Sequence, residues 1–140
     1  MPCIELSLPK VDRETKSALA AGLTEAFCSA TGHSADIFGI RFFEYEPHTA
    51  AVAGKLCDAA DDKPYLHMLV YCPRLKRSTK QKMGTALTDA FARACKRTDW
   101  VPFIHICEHP YDNVVVNGKL LTDAYEECAK RTFYYELPKD

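Results

Sequence analysis

The sequence predicts an α+β fold made of two tandem βαβ units related by a pseudo-twofold axis. The segment LTEAF at residues 23–27 returns 64 residues later as LTDAF at residues 87–91. Residues on both sides keep this offset: Pro9 returns as Pro73, Ile40 as Ile104 and Glu44 as Glu108. Each copy has strand-like, helix-like and again strand-like patterning. Right-handed crossovers then place two helices on one face of a single four-stranded sheet.

The first unit is expected over about residues 2–46. Its predicted elements are a strand at 3–8 ended by Pro9, a helix from Asp12 to Gly32, and a strand at 37–45. Alternating apolar and polar residues predict the first strand, and aromatic and β-branched residues predict the second. Asp12 is a favourable N-cap and Gly32 a favourable C-terminal glycine. Residues 46–64 contain Pro, Gly and Asp, which predicts a loop with room for a short edge strand.

The second unit is expected over about residues 65–110. A nearly continuous apolar run at 65–72 suits a central strand. The spacing of Ser78 and Gln81 is that of a capping box, which predicts a helix that begins at about Thr79. A strand is expected at 101–108. After it come a turn or hairpin at 110–118 and a short helix at about 120–131 with Leu121, Ala124, Tyr125 and Cys128 on one face.

Composition narrows the class of protein. A chain of 140 residues with 47% hydrophobic residues fits one domain over residues 1–140. The net charge of −1 gives no indication of nucleic-acid binding. The sequence has neither a membrane-length apolar run nor the pattern of a signal peptide. Seven scattered cysteines without a CxxC pair indicate buried thiols in a reducing compartment, not disulfides, and no structural metal. We therefore expect a cytoplasmic protein.

Pro2 is the first candidate for catalysis. Removal of Met1 would leave Pro2 with a secondary amine at the start of a strand. An α-amino group has an unperturbed pKa of about 7.7–8.0, and burial next to cations lowers it. Such an amine is suited to general-base catalysis near neutral pH. Many proteins begin with Met-Pro, so an ordinary N-terminus is the alternative.

Arg74 and Arg77 form the second candidate group. They lie between a predicted central strand and the helix that follows it, a place where α/β proteins often bind ligands. Two guanidinium groups and a helix N-terminus favour a carboxylate ligand. A solvated basic turn is the alternative.

His105 is a third candidate, although a single histidine in a strand is more often a structural residue than a catalytic one.

Several of these features together resemble the tautomerase superfamily, and within it the cis-3-chloroacrylic acid dehalogenase-like group. The similar pieces are the Met1-Pro2 start, the Thr24-Glu25-Ala26 stretch, the Arg74-x-x-Arg77 pair, and Glu108-His109-Pro110 leading to Asn117-Gly118. The resemblance spans nearly the whole chain. It implies a βαβ fold with pseudo-twofold symmetry and assembly into a homotrimer.

The resemblance also implies roles for individual residues. Pro2 matches the catalytic proline, and Arg74 and Arg77 match the arginines that bind the substrate carboxylate. His105 stands where the dehalogenases use a tyrosine, and Asn117 lies beside the place of a water-activating glutamate. That glutamate is replaced by Val116, and a helix histidine is replaced by Phe27 with Cys28 beside it.

The resulting expectation is a tautomerase-like isomerase that acts on a small 2-oxo acid or its enol. Pro2 would move the proton, and Arg74, Arg77 and Asn117 would contact the substrate; no cofactor or metal is required. A hydratase, decarboxylase or dehalogenase of a small unsaturated or β-oxo acid is a second reading. A ligand-binding or signalling relative without catalysis is a third.

Overall fold

A four-stranded mixed sheet lies at the centre of the chain. The computed structural model describes residues 1–58 and 63–130. The four strands are β1 (Cys3–Pro9), β2 (Gly39–Tyr45), β5 (His67–Cys72) and β6 (Phe103–Glu108), and their order across the sheet is β2-β1-β5-β6. Strands β1 and β2 are parallel, as are β5 and β6, whereas the two central strands, β1 and β5, run antiparallel. The predicted α+β fold of two βαβ units is therefore confirmed.

One long helix crosses over within each unit. Helix α1 (Arg13–Thr31) and helix α2 (Arg77–Cys95) have the same length of 19 residues and begin 64 positions apart. Asp12 caps α1, since its Oδ1 accepts from the Thr15 amide at 2.7 Å. Gly32 ends α1 in the left-handed conformation, as predicted. The two crossovers are thus structural repeats of one another.

Both helices pack on the same face of the sheet and form the core with it. Alternate residues of the central strands have no exposed surface, since one side of each strand faces the helices. The helices contribute one apolar stripe each. These buried residues are Ile4, Leu6, Leu8, Met68, Val70 and Cys72 from the strands, and Leu19, Leu23, Phe27, Met83, Leu87 and Phe91 from the helices.

Two short hairpins extend the internal repeat beyond the predicted units. The first contains β3 (Ala50–Val52) and β4 (Lys55–Cys57), and the second contains β7 (Val115–Val116) and β8 (Lys119–Leu120). Their sequences, VAGKL at 52–56 and VNGKL at 116–120, again differ by 64 positions. Both turns have two consecutive residues with positive φ, the geometry of a type I′ hairpin. The short edge strand expected within 46–64 is one arm of the first hairpin; residues 59–62 lie outside the described residues.

The predicted start of α2 was wrong. The helix begins at Arg77 with Lys76 as N-cap, not at Thr79 with a capping box. Strand β5 ends at Cys72, one position earlier in the repeat than β1, which ends at Pro9, yet the second helix begins at the position equivalent to the start of the first. Tertiary structure at the end of the strand therefore overrides the local capping signal of Ser78 and Gln81.

The single helix predicted at about 120–131 was also wrong. Two four-residue helices are present instead, α3 (Leu121–Ala124) and α4 (Glu126–Ala129). Tyr125 separates them with an extended backbone (φ −136°, ψ 114°). Of the expected apolar face only Leu121 is buried, so little packing supports a longer helix. Residue 131 lies outside the described residues.

The strand predicted at 37–45 begins later, at Gly39. A 3₁₀ turn, Ala35–Ile37, precedes it, and the Ser34 side chain accepts from the Asp36 amide at 3.4 Å. The strands predicted at 65–72 and 101–108 likewise begin two residues later, at His67 and Phe103.

The second face of the sheet carries polar and aromatic side chains and is exposed in the part of the chain that the structure describes. We call it the open face. Phe103 is 68% exposed there, which is unusual for a phenylalanine in a sheet. The open face consists of Cys3, Glu5, Ser7, Arg41, Phe43, His67, Leu69, Tyr71, Phe103, His105 and Cys107.

All seven cysteines are free thiols. Cys57 and Cys72 are buried and the other five are partly buried. Within residues 1–58 and 63–130, none of the helices has the length and apolar character needed to cross a membrane.

Candidate functional site

Pro2 lies at the end of the sheet where β1 begins. It is buried, and its carbonyl accepts from the Gly39 amide at 3.3 Å. Because β1 and β5 are antiparallel and Cys3 pairs with Tyr71, Pro2 lies level with the carboxyl end of β5. Strand β6 ends at the same edge, where Cys72 pairs with Glu108. The topology thus brings Pro2 next to the segment that carries the two arginines.

Arg74 and Arg77 lie on the loop that leaves this edge of the sheet. Cys72 ends β5, Arg74 follows it and is half-buried, and Arg77 is the exposed first residue of α2. The structure therefore places both arginines at the same end of the sheet as Pro2. This arrangement depends on the antiparallel pairing of the two central strands.

A carboxylate holds the backbone between the two arginines. Oε1 of Glu108 accepts from the Leu75 amide at 2.7 Å and lies 2.9 Å from Lys80 Nζ. The Leu75 side chain packs against the core. We call this arrangement the second clamp. Glu108 thus links the end of β6 to the loop and to the first turns of α2.

The first unit contains the same arrangement, which we call the first clamp. Oε1 of Glu44 accepts from the Val11 amide at 3.0 Å, and Oε2 lies 2.9 Å from Lys16 Nζ. Each of these residues is 64 positions from its equivalent in the second clamp. The hydrogen bond from Lys16 is the main cause that lowers the pKa of Glu44. The clamps are therefore part of the scaffold, and the 64-residue offset of their glutamates and lysines was visible in the sequence.

The two helix N-termini differ chemically although their backbones are equivalent. In α1 the Asp12 carboxylate accepts from the Thr15 amide. In α2 the equivalent residue is Lys76, which makes no side-chain cap hydrogen bond within the described part of the chain. The first helix thus supplies its own anion, whereas the second has three basic residues, Arg74, Lys76 and Arg77, around its first turn.

Pro2 also has an equivalent in the other unit. Leu66, 64 residues later, is buried, and its carbonyl accepts from the Phe103 amide at 2.8 Å, as that of Pro2 accepts from Gly39. A leucine supplies no amine. Among the described residues, the proline and the two arginines therefore occur together at one end of the sheet.

Thiols near Pro2 are poor candidates for a nucleophile. Burial raises the pKa of Cys3, with a further contribution from Glu5. Burial also raises the pKa of Cys72 to about 12, and the charge of Glu108 adds to this effect. Both thiols therefore stay protonated at neutral pH, and a protonated thiol is a weak nucleophile.

His105 lies on the open face and contacts another histidine. Its Nδ1 is 2.7 Å from Nε2 of His67 on the neighbouring strand. Leu69 on β5 pairs with Glu5 on β1 and with His105 on β6, so His105 lies level with Glu5 and two strands away from it. Pro2 is three residues before Glu5 in the chain, so His105 and Pro2 are also separated by three residues along the strand direction. At about 4.8 Å per strand and 3.3 Å per residue, the two residues are not in contact within one chain.

Asn117 lies at the exposed tip of the second hairpin. Its φ of 53° is a conformation that asparagine tolerates well, and Gly118 follows with a φ of 77°. The geometry of the turn is therefore sufficient to explain why asparagine occurs at position 117.

The two positions where the dehalogenases have a glutamate and a histidine are Val116 and Phe27. Val116 is partly buried in β7, and Phe27 is fully buried and stacked on Phe38 with ring centroids 4.5 Å apart. Phe27 is thus a core residue.

Comparison with known proteins shows that this chain is similar to several solved structures. No family model and no curated protein matches the sequence. A fused 4-OT, described as a wild-type asymmetric trimer, superimposes with a TM-score of 0.77 at 19% identity, covering 87% of this chain and 98% of the other. Pt0534 inactivated by 2-oxo-3-pentynoate gives a TM-score of 0.73 at 14% identity, covering 88% and 96%.

A third solved structure belongs to a member of the cis-3-chloroacrylic acid dehalogenase (cis-CaaD) family. It superimposes with a TM-score of 0.70 at 17% identity, covering 85% of this chain and 82% of the other. The three matches cover 85–88% of this chain. The chain has the fold of fused 4-OT and of this cis-CaaD family member, so its resemblance to the tautomerase superfamily is confirmed at the level of the fold.

Proposed function

We propose that this chain is a tautomerase-superfamily enzyme that interconverts the keto and enol forms of a small 2-oxo acid. One observation carries the proposal: the antiparallel pairing of β1 with β5 brings Pro2 beside the loop of Arg74 and Arg77. A base and a carboxylate-binding group are what the reaction needs, and the shared fold with fused 4-OT supports the same reading.

In the proposed mechanism, Pro2 is the N-terminal residue after removal of Met1. Its uncharged nitrogen takes the hydroxyl proton of the enol and returns it to the adjacent carbon. The burial of Pro2 favours the uncharged amine, because desolvation disfavours the protonated form. The same nitrogen serves as base and then as acid, so no second proton carrier is required.

Arg74 and Arg77 bind the carboxylate and stabilise the negative charge that develops on the enolate oxygen. The contrast between the two units supports this role. Where Asp12 fills the N-terminus of α1 with its own carboxylate, α2 has Lys76. A substrate carboxylate would take at α2 the place that Asp12 takes at α1.

Water addition is the less favoured chemistry. It requires a base positioned to take a proton from water, and Val116 has no such group. Glu108 is a carboxylate at the same edge of the sheet as Pro2. It accepts from Leu75 and pairs with Lys80, on the side of the strand opposite to His105. Glu108 is therefore engaged in the scaffold, which favours the tautomerase over a hydratase or dehalogenase.

His105 would join the site only through assembly, because it lies on the open face, three residues and two strands from Pro2 in its own chain. Asn117 lies at an exposed hairpin tip, where a neighbouring subunit would contact it. The open face also exposes Phe103, and the hairpins expose Leu56 (63%) and Val115 (62%). We propose a homotrimer in which these surfaces are buried and neighbouring subunits complete the site.

The test uses 2-oxo-3-pentynoate, the compound that inactivates Pt0534. An uncharged proline amine would add to its triple bond and form a covalent adduct. Intact mass spectrometry should first show that Met1 is absent. After incubation, peptide mapping should place one inhibitor molecule on Pro2. The rate of phenylenolpyruvate ketonisation should fall in proportion to the fraction of chains that are labelled.

Pro2→Ala is the matched variant. It keeps an N-terminal amine but changes its chemistry, and we expect its rate to fall at least about tenfold. Retention of Met1, or labelling of a cysteine instead of Pro2, would contradict the proposed base.

Chloride release from cis-3-chloroacrylate should be slower than ketonisation. Faster chloride release would favour the dehalogenase reading and contradict the role given to Val116.

A further inference from the structure

We propose that Glu108 is a positioning residue for carboxylate binding, which it serves by fixing the backbone between Arg74 and Arg77. This inference rests on the proposed function, since it concerns the same arginines. Glu108 itself has no direct contact with substrate in this scheme. It acts through the Leu75 amide, which lies between the two arginines in sequence.

The geometry of the second clamp carries the inference. The Leu75 amide donates to Glu108 at 2.7 Å, a short distance for a hydrogen bond from a backbone amide, as expected for an ionised acceptor. Lys80 lies 2.9 Å from the same oxygen and holds the carboxylate from the helix side. The Leu75 side chain packs on the core. The residue between the arginines is thus fixed at its amide and at its side chain.

Loss of the Glu108 carboxylate would remove one of these two attachments. The loop would then sample other backbone conformations, and the guanidinium groups would less often converge on one carboxylate. Because bidentate recognition depends on the relative placement of donors, small displacements weaken binding strongly. The effect should appear in the affinity for the carboxylate more than in the proton transfer carried out by Pro2.

The first clamp provides an internal control. Glu44 makes the same contacts with Val11 and Lys16, at nearly the same distances. Its loop connects β1 to α1 and leads to a helix that Asp12 already caps. Removing Glu44 therefore costs a similar amount of scaffold stability but does not disturb the loop of Arg74 and Arg77.

The experiment compares Glu108→Ala with Glu44→Ala in the full chain. Urea denaturation should show that both variants lose comparable stability. For phenylenolpyruvate, Glu108→Ala should raise KM at least roughly fivefold with a smaller change in kcat, whereas Glu44→Ala should leave KM within about twofold. Glu108→Gln keeps an acceptor for the Leu75 amide and should restore most of the affinity.

Hydrogen exchange at the Leu75 amide tests the link directly. Exchange should be faster in Glu108→Ala and unchanged in Glu44→Ala. An equal KM in the two variants, or no rescue by Glu108→Gln, would overturn the positioning role. If Glu108→Ala does not fold, Lys80→Met provides the comparison against Lys16→Met, because each removes the lysine that holds the carboxylate of its clamp.

A wild-type protein without turnover is a separate outcome. If it still binds phenylpyruvate in calorimetry, the base role of Pro2 fails, and the dissociation constants of the same variants decide the role of Glu108. If it neither binds nor converts the compound, the proposed function and this inference both fail.

Discussion

Gly32 and Lys96 occupy equivalent positions at the ends of the two long helices, and both have positive φ. The values are 76° for Gly32 and 54° for Lys96. Glycine adopts this left-handed conformation without steric cost, whereas a side chain with a Cβ atom does not. The Lys96 amine is 3.7 Å from Glu14, but both side chains are more than 80% exposed, so the ion pair adds little. Residue 96 therefore carries backbone strain.

Lys96→Gly should stabilise the protein by roughly 0.5–1 kcal/mol, because it removes that strain. Urea denaturation monitored by circular dichroism would measure the change. Lys96→Ala is the control, since it deletes the same charge but keeps Cβ. Equal stability of the two variants would show that the side chain, not the backbone, determines the effect.

Arg74 and Arg77 have equivalents in the first unit, Lys10 and Arg13. Arg74→Ala and Arg77→Ala should each cost roughly 1.5–3 kcal/mol in transition-state binding, seen as a fall of about 10- to 100-fold in kcat/KM. Lys10→Ala and Arg13→Ala remove similar charge near the other helix and should change kcat/KM little. Similar losses in all four variants would point to general electrostatic attraction in place of a defined site.

At the scale of secondary-structure elements, the contact between β5 and β6 contains a titratable pair. Nε2 of His67 and Nδ1 of His105 are 2.7 Å apart, and their rings meet edge to face. At this distance one ring donates a hydrogen bond to the other. Burial lowers the pKa of His67, and the charge of His105 lowers it further. Protonation of both rings would place two like charges between adjacent strands.

Stability should therefore depend on pH. Because the folded protein disfavours protonation of His67, stability is greatest above about pH 6.5 and falls as the pH decreases below that value. His67→Gln should flatten this dependence in thermal unfolding between about pH 5 and 7. His105→Gln should flatten it only in part, since burial is the larger cause. Measurements above about pH 5 avoid Glu44, whose lowered pKa gives a loss of stability in more acidic solution.

The long elements were predictable because local signals and the repeat agree. Asp12, Gly32 and the apolar stripes defined α1, and the offset carried the same stripe to α2. The hairpins were less accessible, since each strand has only two or three residues and little periodicity. Their repeated turn sequence was nevertheless visible at the same offset. The capping motif at residues 78–81 predicted that α2 begins at about Thr79, whereas the repeat places its start at Arg77, where the helix does begin.

At the scale of the whole molecule, the sequence indicated the candidate residues but not all of their positions. Pro2 and Arg74 are 72 positions apart in the chain, and only the pairing of β1 with β5 brings them to one edge. Alternation along the strand puts Phe103, His105 and Cys107 on one face, and the structure shows that this is the open face. Its contact with His67 depends on the register between two strands, which one sequence does not specify.

The open face gives a prediction about assembly. Light scattering after size exclusion should give the mass of a trimer at micromolar concentration. Phe103→Glu places a charge on the most exposed aromatic of this face and should yield monomers with reduced activity. Gln81→Glu adds a charge on exposed α2 surface and should leave the trimer intact. A monomeric wild-type protein would contradict both the trimer and the proposed contribution of neighbouring subunits.

The replacement of Pro2 by Leu66 in the second unit has a consequence for stoichiometry. The fold offers two equivalent sheet ends per chain, and in the proposed mechanism the proline amine is at one of them. A trimer would therefore contain three reactive centres, not six. Active-site titration with 2-oxo-3-pentynoate should end at one equivalent per chain. Substitutions at the other end of the sheet, near Leu66, should leave turnover unchanged if the fold is kept.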